Sequence, residues 1–446
     1  MKNLIIFSLL FSIILLHHCS FDRKTGIWKE HNKKIIQEVK NKKKIEKIFK
    51  EKINFEKEID STELITISKK KNNTNWLEDN LKEDNNVSHL NYLNNKNQIF
   101  KSKKIGKNNH EIQTANNEPL VFKDDIFFND RSGNIYRYSI NNKKLVWKFN
   151  FYKKKFKNIP IRINLKIIPE NLIVSDNMGY FYSININTGK LIWAKNQGVP
   201  LTSEIKSYNG KIFLLNQDNK FYIFKKNNGE KILDFETFPV ILKKNNKQNL
   251  ALGPNDSLFF VTSAGQIFSV NHNNYLINWL KNIKDTGSSD KYGLFYSSPI
   301  VVKEESIYLS TSQSTMSINH SSGKINWEIP FATKLRPVIS NKYIFLVSKE
   351  GFLLNIDITN GKVIWSKKLF GSKKLNLKKT GEVTSLLLIS GQLFFTTQNG
   401  YFFFAKYQNG EILNYAKVAK GFYSRPTVSN GKIYIIDKNM RVLLFN

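Results

Sequence analysis

The sequence predicts an all-β chain, an eight-bladed β-propeller of four-stranded blades, preceded by an export signal and a polar tether. Three observations carry this. A glycine-to-tryptophan motif recurs at an even period, its length matches one propeller blade, and the stretch from residue 96 to the end holds room for eight copies.

The clearest copy is Gly351 to Trp365, GFLLNIDITNGKVIW. Gly133 to Trp147 (GNIYRYSINNKKLVW), Gly179 to Trp193 (GYFYSININTGKLIW) and Gly265 to Trp279 (GQIFSVNHNNYLINW) share its offset. The copy ending at Trp327 loses the first glycine, those starting at Asn219 and Gly400 lose the tryptophan, and a truncated eighth begins at Asn439. Spacings run from 38 to 49 residues, close to the 40–50 of a four-stranded blade. Within a copy, alternating aromatic and branched residues form one strand, a polar turn ending in glycine follows, and a short second strand ends on the indole. Trp147, Trp193, Trp279, Trp327 and Trp365 are expected to wedge between neighbouring blades.

Eight blades need about 350 residues, and 96–446 supplies 351. The last copy ends at Asn446 without an outer strand of its own. Ring closure then requires a strand from the N-terminal side, and residues 98–104 (QIFKSKK) are the candidate. Innermost strands are expected at 119–122, 161–168, 199–205, 249–253, 298–302, 336–339, 383–388 and 425–428. Several begin at a proline, which suits a strand's first residue.

Residues 1–19 read as a signal peptide: Lys2, then an apolar run from Leu4 to Leu16, too short for a comfortable membrane span, then Cys19. Cys19 is the only cysteine and a candidate lipidation site, with Leu16 at −3 as in a lipobox and His18 at −1, where a small residue is usual. A plain secretory signal or an uncleaved anchor is the alternative. Without a second cysteine no internal disulfide can form. Residues 20–95 are Lys-, Asn- and Glu-rich, and are expected to form a tether, partly helical (34–56) or disordered.

The formal charge is +33, from 69 basic and 36 acidic residues. It is nearly all lysine, spread evenly beside abundant Asn and Ile, so nucleic acid is not expected as a partner. No P-loop, HExxH, CxxC or GxSxG is present. His272 and His320 each stand seven residues before their repeat's tryptophan, where other copies place Ile140, Ile186, Lys226, Ile358 and Tyr407. That is a half-buried turn position, read as structural. One residue earlier, Ser139, Asn185, Asn271, Asn319 and Asp357 are expected to hydrogen-bond their own turns.

TGKLIW (188–193), SGKINW (322–327) and NGKVIW (360–365) resemble the tryptophan-docking repeat of pyrroloquinoline-quinone-type propellers. These include quinoprotein dehydrogenases and non-catalytic propellers. The layout of signal, cysteine, tether and a single ring is most similar to BamB-type lipoproteins of the bacterial outer-membrane β-barrel assembly machinery. The resemblance implies a non-catalytic scaffold, lipid-anchored on the periplasmic face of the outer membrane. It would bind the barrel-inserting outer-membrane protein, other machinery subunits and unfolded outer-membrane protein clients. The family's contact surface lies on loops of neighbouring central blades, here about 242–252 and 285–296. Lys243, Lys244, Asp290 and Tyr296 are the candidate partner-binding residues, with Lys247 and Asp285 beside them. Where the family has a close acidic pair, this chain reads Leu294-Phe295-Tyr296. Quinoprotein enzymes carry an adjacent cysteine pair and acidic and amide calcium ligands. This chain has one cysteine and no obvious carboxylate cluster, so neither cofactor nor metal is expected. The alternatives are a quinoprotein-type dehydrogenase, a glycan- or ligand-binding propeller with aromatic and polar residues converging on one channel mouth, and β-augmentation of client strands at an outer edge.

Overall fold

The computed structural model describes residues 57–108, 117–152, 156, 159–238, 247–284, 295–371 and 375–446. Eight four-stranded antiparallel sheets form the blades. The innermost strands of blades 1 to 7 are Leu120–Phe122, Ile163–Ile168, Lys206–Tyr208, Leu250–Leu252, Val301–Lys303, Val338–Ser340 and Val383–Ile389. Blade 8 starts at Thr427–Ser429, and its outer strand is Gln98–Lys101, paired antiparallel with Val442–Phe445. The ring therefore closes as expected, with a strand from the N-terminal side. The innermost strands of blades 3, 5, 6 and 8 begin later than the sequence suggests. Pro200, Pro299, Pro337 and Pro426 have no N–H to donate, so the regular ladder starts only beyond them. In blade 3, Leu201 and Ser203 make isolated bridges before the strand begins at Lys206.

Burial follows radial position. The second strand of each blade is enclosed by its neighbours, as with Ile126, Phe127 and Phe128 in blade 1 or Leu258, Phe259 and Phe260 in blade 4. Outer strands face solvent and leave Leu145, Val146, Leu191, Ile192, Ile277 and Leu280 exposed.

The indoles lock successive blades together. Trp147 Nε1 donates to Ile186 O of the next blade at 2.9 Å, Trp279 to His320 O at 2.8 Å, Trp327 to Ile358 O at 2.9 Å and Trp365 to Tyr407 O at 3.2 Å. The accepting residue is the turn position seven before the next blade's own tryptophan site, so His320 serves through its backbone. The turn itself is held locally: Asn185 Oδ1 accepts from the N–H groups of Asn187 and Thr188, and Asn271, Asn319 and Asp357 do likewise.

Glycine in this turn has two jobs. Gly410 has φ +72, and a Cβ there would sit 2.7 Å from the Trp365 ring; Gly189, Gly229, Gly323 and Gly361 seat Trp147, Trp193, Trp279 and Trp327 in the same way. The flat indole rests directly on backbone, which only glycine allows.

Residues 57–95 do not behave as a polar tether. They cross the ring and touch the inner part of every blade. Ser68 Oγ lies 3.0 Å from Ser340 Oγ (blade 6), and Asn73 Nδ2 donates to Val428 O at 2.7 Å (blade 8). Trp76 and Val121 exchange backbone hydrogen bonds of 2.7 and 2.9 Å (blade 1), and Leu77 O accepts from Ile167 N at 2.7 Å (blade 2). Glu78 pairs with Lys206 (blade 3), Glu83 O and Asp84 O accept from Leu252 N and Val302 N (blades 4 and 5), and Leu90 N donates to Leu388 O (blade 7). Ile65, Trp76, Val87, Leu90 and Tyr92 are all buried. Averaged composition hides this, because the few apolar side chains are spread out and the buried acids among them, Glu78 and Asp79, pair with lysines outside the segment. The expected signal peptide, the first part of the tether and the helix at 34–56 lie outside the described residues.

The indole seat makes a specific expectation. In urea denaturation, Trp365→Ala costs about 3–5 kcal/mol, and Gly410→Ala costs more than the ~1–2 kcal/mol of left-handed backbone alone. In the Trp365→Ala background Gly410→Ala should cost only that backbone amount, a non-additive cycle. Gly391→Ala, with φ +74 and nothing within 4 Å, gives the backbone cost by itself.

Candidate functional site at the channel mouth

The segment 57–95 lies mainly against the C-terminal ends of the innermost strands, so the channel is closed from that side. It opens where those strands begin. Two layers follow: a buried ion cluster, and above it a polar cavity of about 500 Å³.

The buried layer centres on Glu78, whose carboxylate lies 2.9 Å from Lys166 Nζ and 3.1 Å from Lys206 Nζ. Lys206 is fully buried and also donates to Asn85 Oδ1 at 2.6 Å and Lys82 O at 2.9 Å. Glu204 Oε2 is 3.6 Å from Lys206 Nζ. Burial works to raise the Glu78 carboxyl, but Lys166 and Lys206 outweigh it and hold the group below its ordinary value. Burial likewise works against charge on Lys206, yet Glu78 and Glu204 leave its pKa raised. Glu204 has weaker compensation, and burial pushes it from 4.5 up to about 7, against the pull of Lys206 and Lys247.

The cavity floor carries Asp79, Asn80, Glu118, Glu204 and Arg425. Glu118 Oε2 accepts from Trp76 Nε1 at 2.9 Å and Asn80 N at 2.7 Å; Arg336 donates to Asn80 Oδ1 at 2.9 Å and lies 3.8 Å from Glu118. Asn249, Tyr296, Ser297, Lys334, Thr384 and Gln398 line the walls.

Of the residues the sequence singled out for binding, Tyr296 stands on this rim, with Lys334 Nζ 4.5 Å from its ring centre. Lys247 also reaches the rim and pairs with Asp79. Lys243, Lys244, Asp285, Asp290 and Cys19 lie outside the described residues. Sequence reading missed Glu78, Glu204, Lys206, Arg336 and Arg425. One signal existed: Lys166 interrupts the apolar run of 163–168, INLKII, where a charge needs a buried partner. His272 packs against Tyr208 and Phe213, and burial lowers its pKa, as suits a structural residue. Among the described residues no group of three or more His, Cys, Asp or Glu side chains could hold a metal ion.

One outer edge is already occupied. Ile59 and Ser366 exchange backbone hydrogen bonds of 3.1 and 2.9 Å, adding an extended segment to the outer strand of blade 6.

The family model of outer membrane protein assembly factor BamB matches residues 131–367 and 350–446. The chain belongs to the BamB family. A BamB from Legionella pneumophila is 25% identical over 164 residues, which is 36% of this chain and 41% of that relative's length. The structure of BamB from Moraxella catarrhalis superposes with a TM-score of 0.61 at 12% identity, covering 79% of this chain and 99% of that one. Quinohemoprotein alcohol dehydrogenase from Comamonas testosteroni gives 0.63 at 10% identity, covering 83% and 80%. At such identities both likenesses show the shared propeller fold alone.

Two expectations follow from the ion cluster. Glu78→Gln leaves Lys166 and Lys206 without their shared partner and destabilises the protein by about 3–5 kcal/mol in urea denaturation. Glu204 has a folded pKa above its unfolded one, so the stability it contributes is full below about 4.5 and lost as pH rises through about 7. The melting temperature of Glu204→Gln should therefore fall less than that of the parent between about pH 5 and about pH 8. Equal falls contradict this account of Glu204.

Proposed function

We propose that this chain is a non-catalytic, periplasm-facing scaffold of the outer-membrane β-barrel assembly machinery. It binds the barrel-inserting outer-membrane protein and other subunits, and assists insertion of outer-membrane protein clients. Membership of the BamB family over most of the ring is the observation that carries this reading. The N-terminal pattern supports it: an apolar run from Leu4 to Leu16, followed by Cys19, suits lipid anchoring to the outer membrane. The partner surface we assign is the pair of loops at the junctions of blades 3 to 4 and 4 to 5, with Lys243, Lys244, Asp290 and Tyr296. Aromatic and charged side chains on junction loops suit a protein contact better than a catalytic one. Client strands have a physical precedent in the segment at Ile59, which adds to an outer edge.

Quinoprotein-type dehydrogenation is the competing reading, since a dehydrogenase shares the fold. Fold alone does not carry function, and the residues for the quinone site are not matched here.

The test is purification from detergent-solubilised envelopes of the native cells, followed by mass spectrometry. The expected result is stoichiometric recovery of a large outer-membrane barrel protein with periplasmic repeats, reduced at least about tenfold by combined Lys243→Glu, Lys244→Glu and Tyr296→Ala, as for loss of interface anchors. Absence of any barrel partner, together with oxidation of an alcohol or sugar on adding quinone and calcium, overturns the proposal.

A further inference from the structure

Among the described residues, the channel mouth contains two cations with no carboxylate within ion-pairing distance. Arg425 lines the cavity floor; its backbone N–H donates to Asn117 O at 2.8 Å, but its buried Nε has no hydrogen-bond partner. No described carboxylate lies within ion-pairing distance of that guanidinium. Lys334, exposed on the rim, has only the Tyr296 ring beneath its Nζ.

The other charges of the cavity are accounted for. Lys247 pairs with Asp79, and Lys349 lies 3.6 Å from Glu350 and 3.8 Å from Glu382. Glu118 is taken up by Trp76, Asn80 and Arg336. Glu204 Oε2 lies buried on the cavity lining, 3.6 Å from Lys206 Nζ, and burial pushes that carboxyl up to about 7. Among the described residues, the cavity thus offers a guanidinium, an ammonium and an aromatic face, while the lining carboxyl groups Asp79, Glu118, Glu204 and Glu382 each lie within 4 Å of another cation.

Shape agrees with charge. The segment 57–95 lies beneath the mouth and supplies Asp79 and Asn80 to its floor. The volume of about 500 Å³ lies within the range of small-molecule sites. Asn249, Ser297, Thr384 and Gln398 make the wall between these charges neutral and polar. A guanidinium's paired N–H groups match a carboxylate or phosphate.

We propose that the channel mouth binds a small anionic solute, a carboxylate- or phosphate-bearing molecule of about one to two sugar units, gripped by Arg425 and covered by Tyr296 and Lys334. The site shares Tyr296 with the partner surface assigned above, but its charged contacts, Arg425 and Lys334, lie outside that surface, so anion binding and recovery of a barrel protein are read independently.

Isothermal titration of the full chain in detergent, with glucuronate, inorganic phosphate and neutral glucose as probes, tests it. The expected result is saturable one-to-one binding of glucuronate or phosphate, at least about tenfold tighter than glucose, as expected when one charge-assisted contact is worth more than about 1.4 kcal/mol. Arg425→Gln should weaken the anion about tenfold or more, and Lys334→Glu, on an exposed rim, should weaken it severalfold with an unchanged urea midpoint. No saturable binding of either anion overturns the proposal. So does binding indifferent to both substitutions, which would assign the anion to the general positive charge of the surface. Lys334→Glu keeps the test decisive if Arg425→Gln fails to fold.

Discussion

Each indole at the end of an outer strand is held by the following blade and not by its own. Its ring lies on the glycine of the next turn, and the N–H of Trp147, Trp279, Trp327 and Trp365 satisfies a carbonyl seven residues before the next tryptophan site. One interaction therefore fixes three things: the spacing of the motif, the need for glycine at a left-handed turn, and the angle between neighbouring sheets. A chain without disulfides in its ring depends on such repeated packing, because each blade alone exposes both faces. Blades 3 and 7 end without tryptophan, and aromatic pairs such as Phe221 with Phe260 and Phe402 with Phe445 join them to their neighbours instead.

A ring of eight blades leaves a central channel that its own side chains do not fill. Here the chain fills one end with residues 57–95, and it does so with charge as well as with Trp76 and Leu90. Glu78, placed between Lys166 and Lys206, lets three ionisable groups share one dry layer. Such an arrangement is specific, since a misplaced segment leaves lysines buried and unpaired. It also decides the chemistry of the open end, because the segment supplies Asp79 and Asn80 to the cavity floor and ties up Glu118.

The period, the blade number and the ring closure were legible because they repeat or follow from arithmetic. Gly351 to Trp365 shows the blade, and Asn446, ending without an outer strand, shows that another strand must come from outside. The segment 57–95 was not legible. Its contacts are made one residue at a time, by Trp76, Leu77, Glu78, Glu83, Asp84 and Leu90, each to a different blade, so no periodicity betrays them. The channel-mouth residues escaped for the same reason: Arg336 and Arg425 are adjacent only because blades 6 and 8 converge on the axis. Tyr296 was found through family resemblance, and its neighbour Lys334 only through the fold.

The segment 57–95 packs across the inner strands and sets the floor and the charge of the cavity. Hydrogen exchange of the intact full chain, read by mass spectrometry over peptides covering 70–93, tests this most directly. The amides of Trp76 and Leu90, bonded to Val121 and Leu388, should exchange as slowly as the innermost strands of blades 1 and 7. Exchange of these peptides at the rate of an unfolded chain, while the blades stay protected, would contradict it.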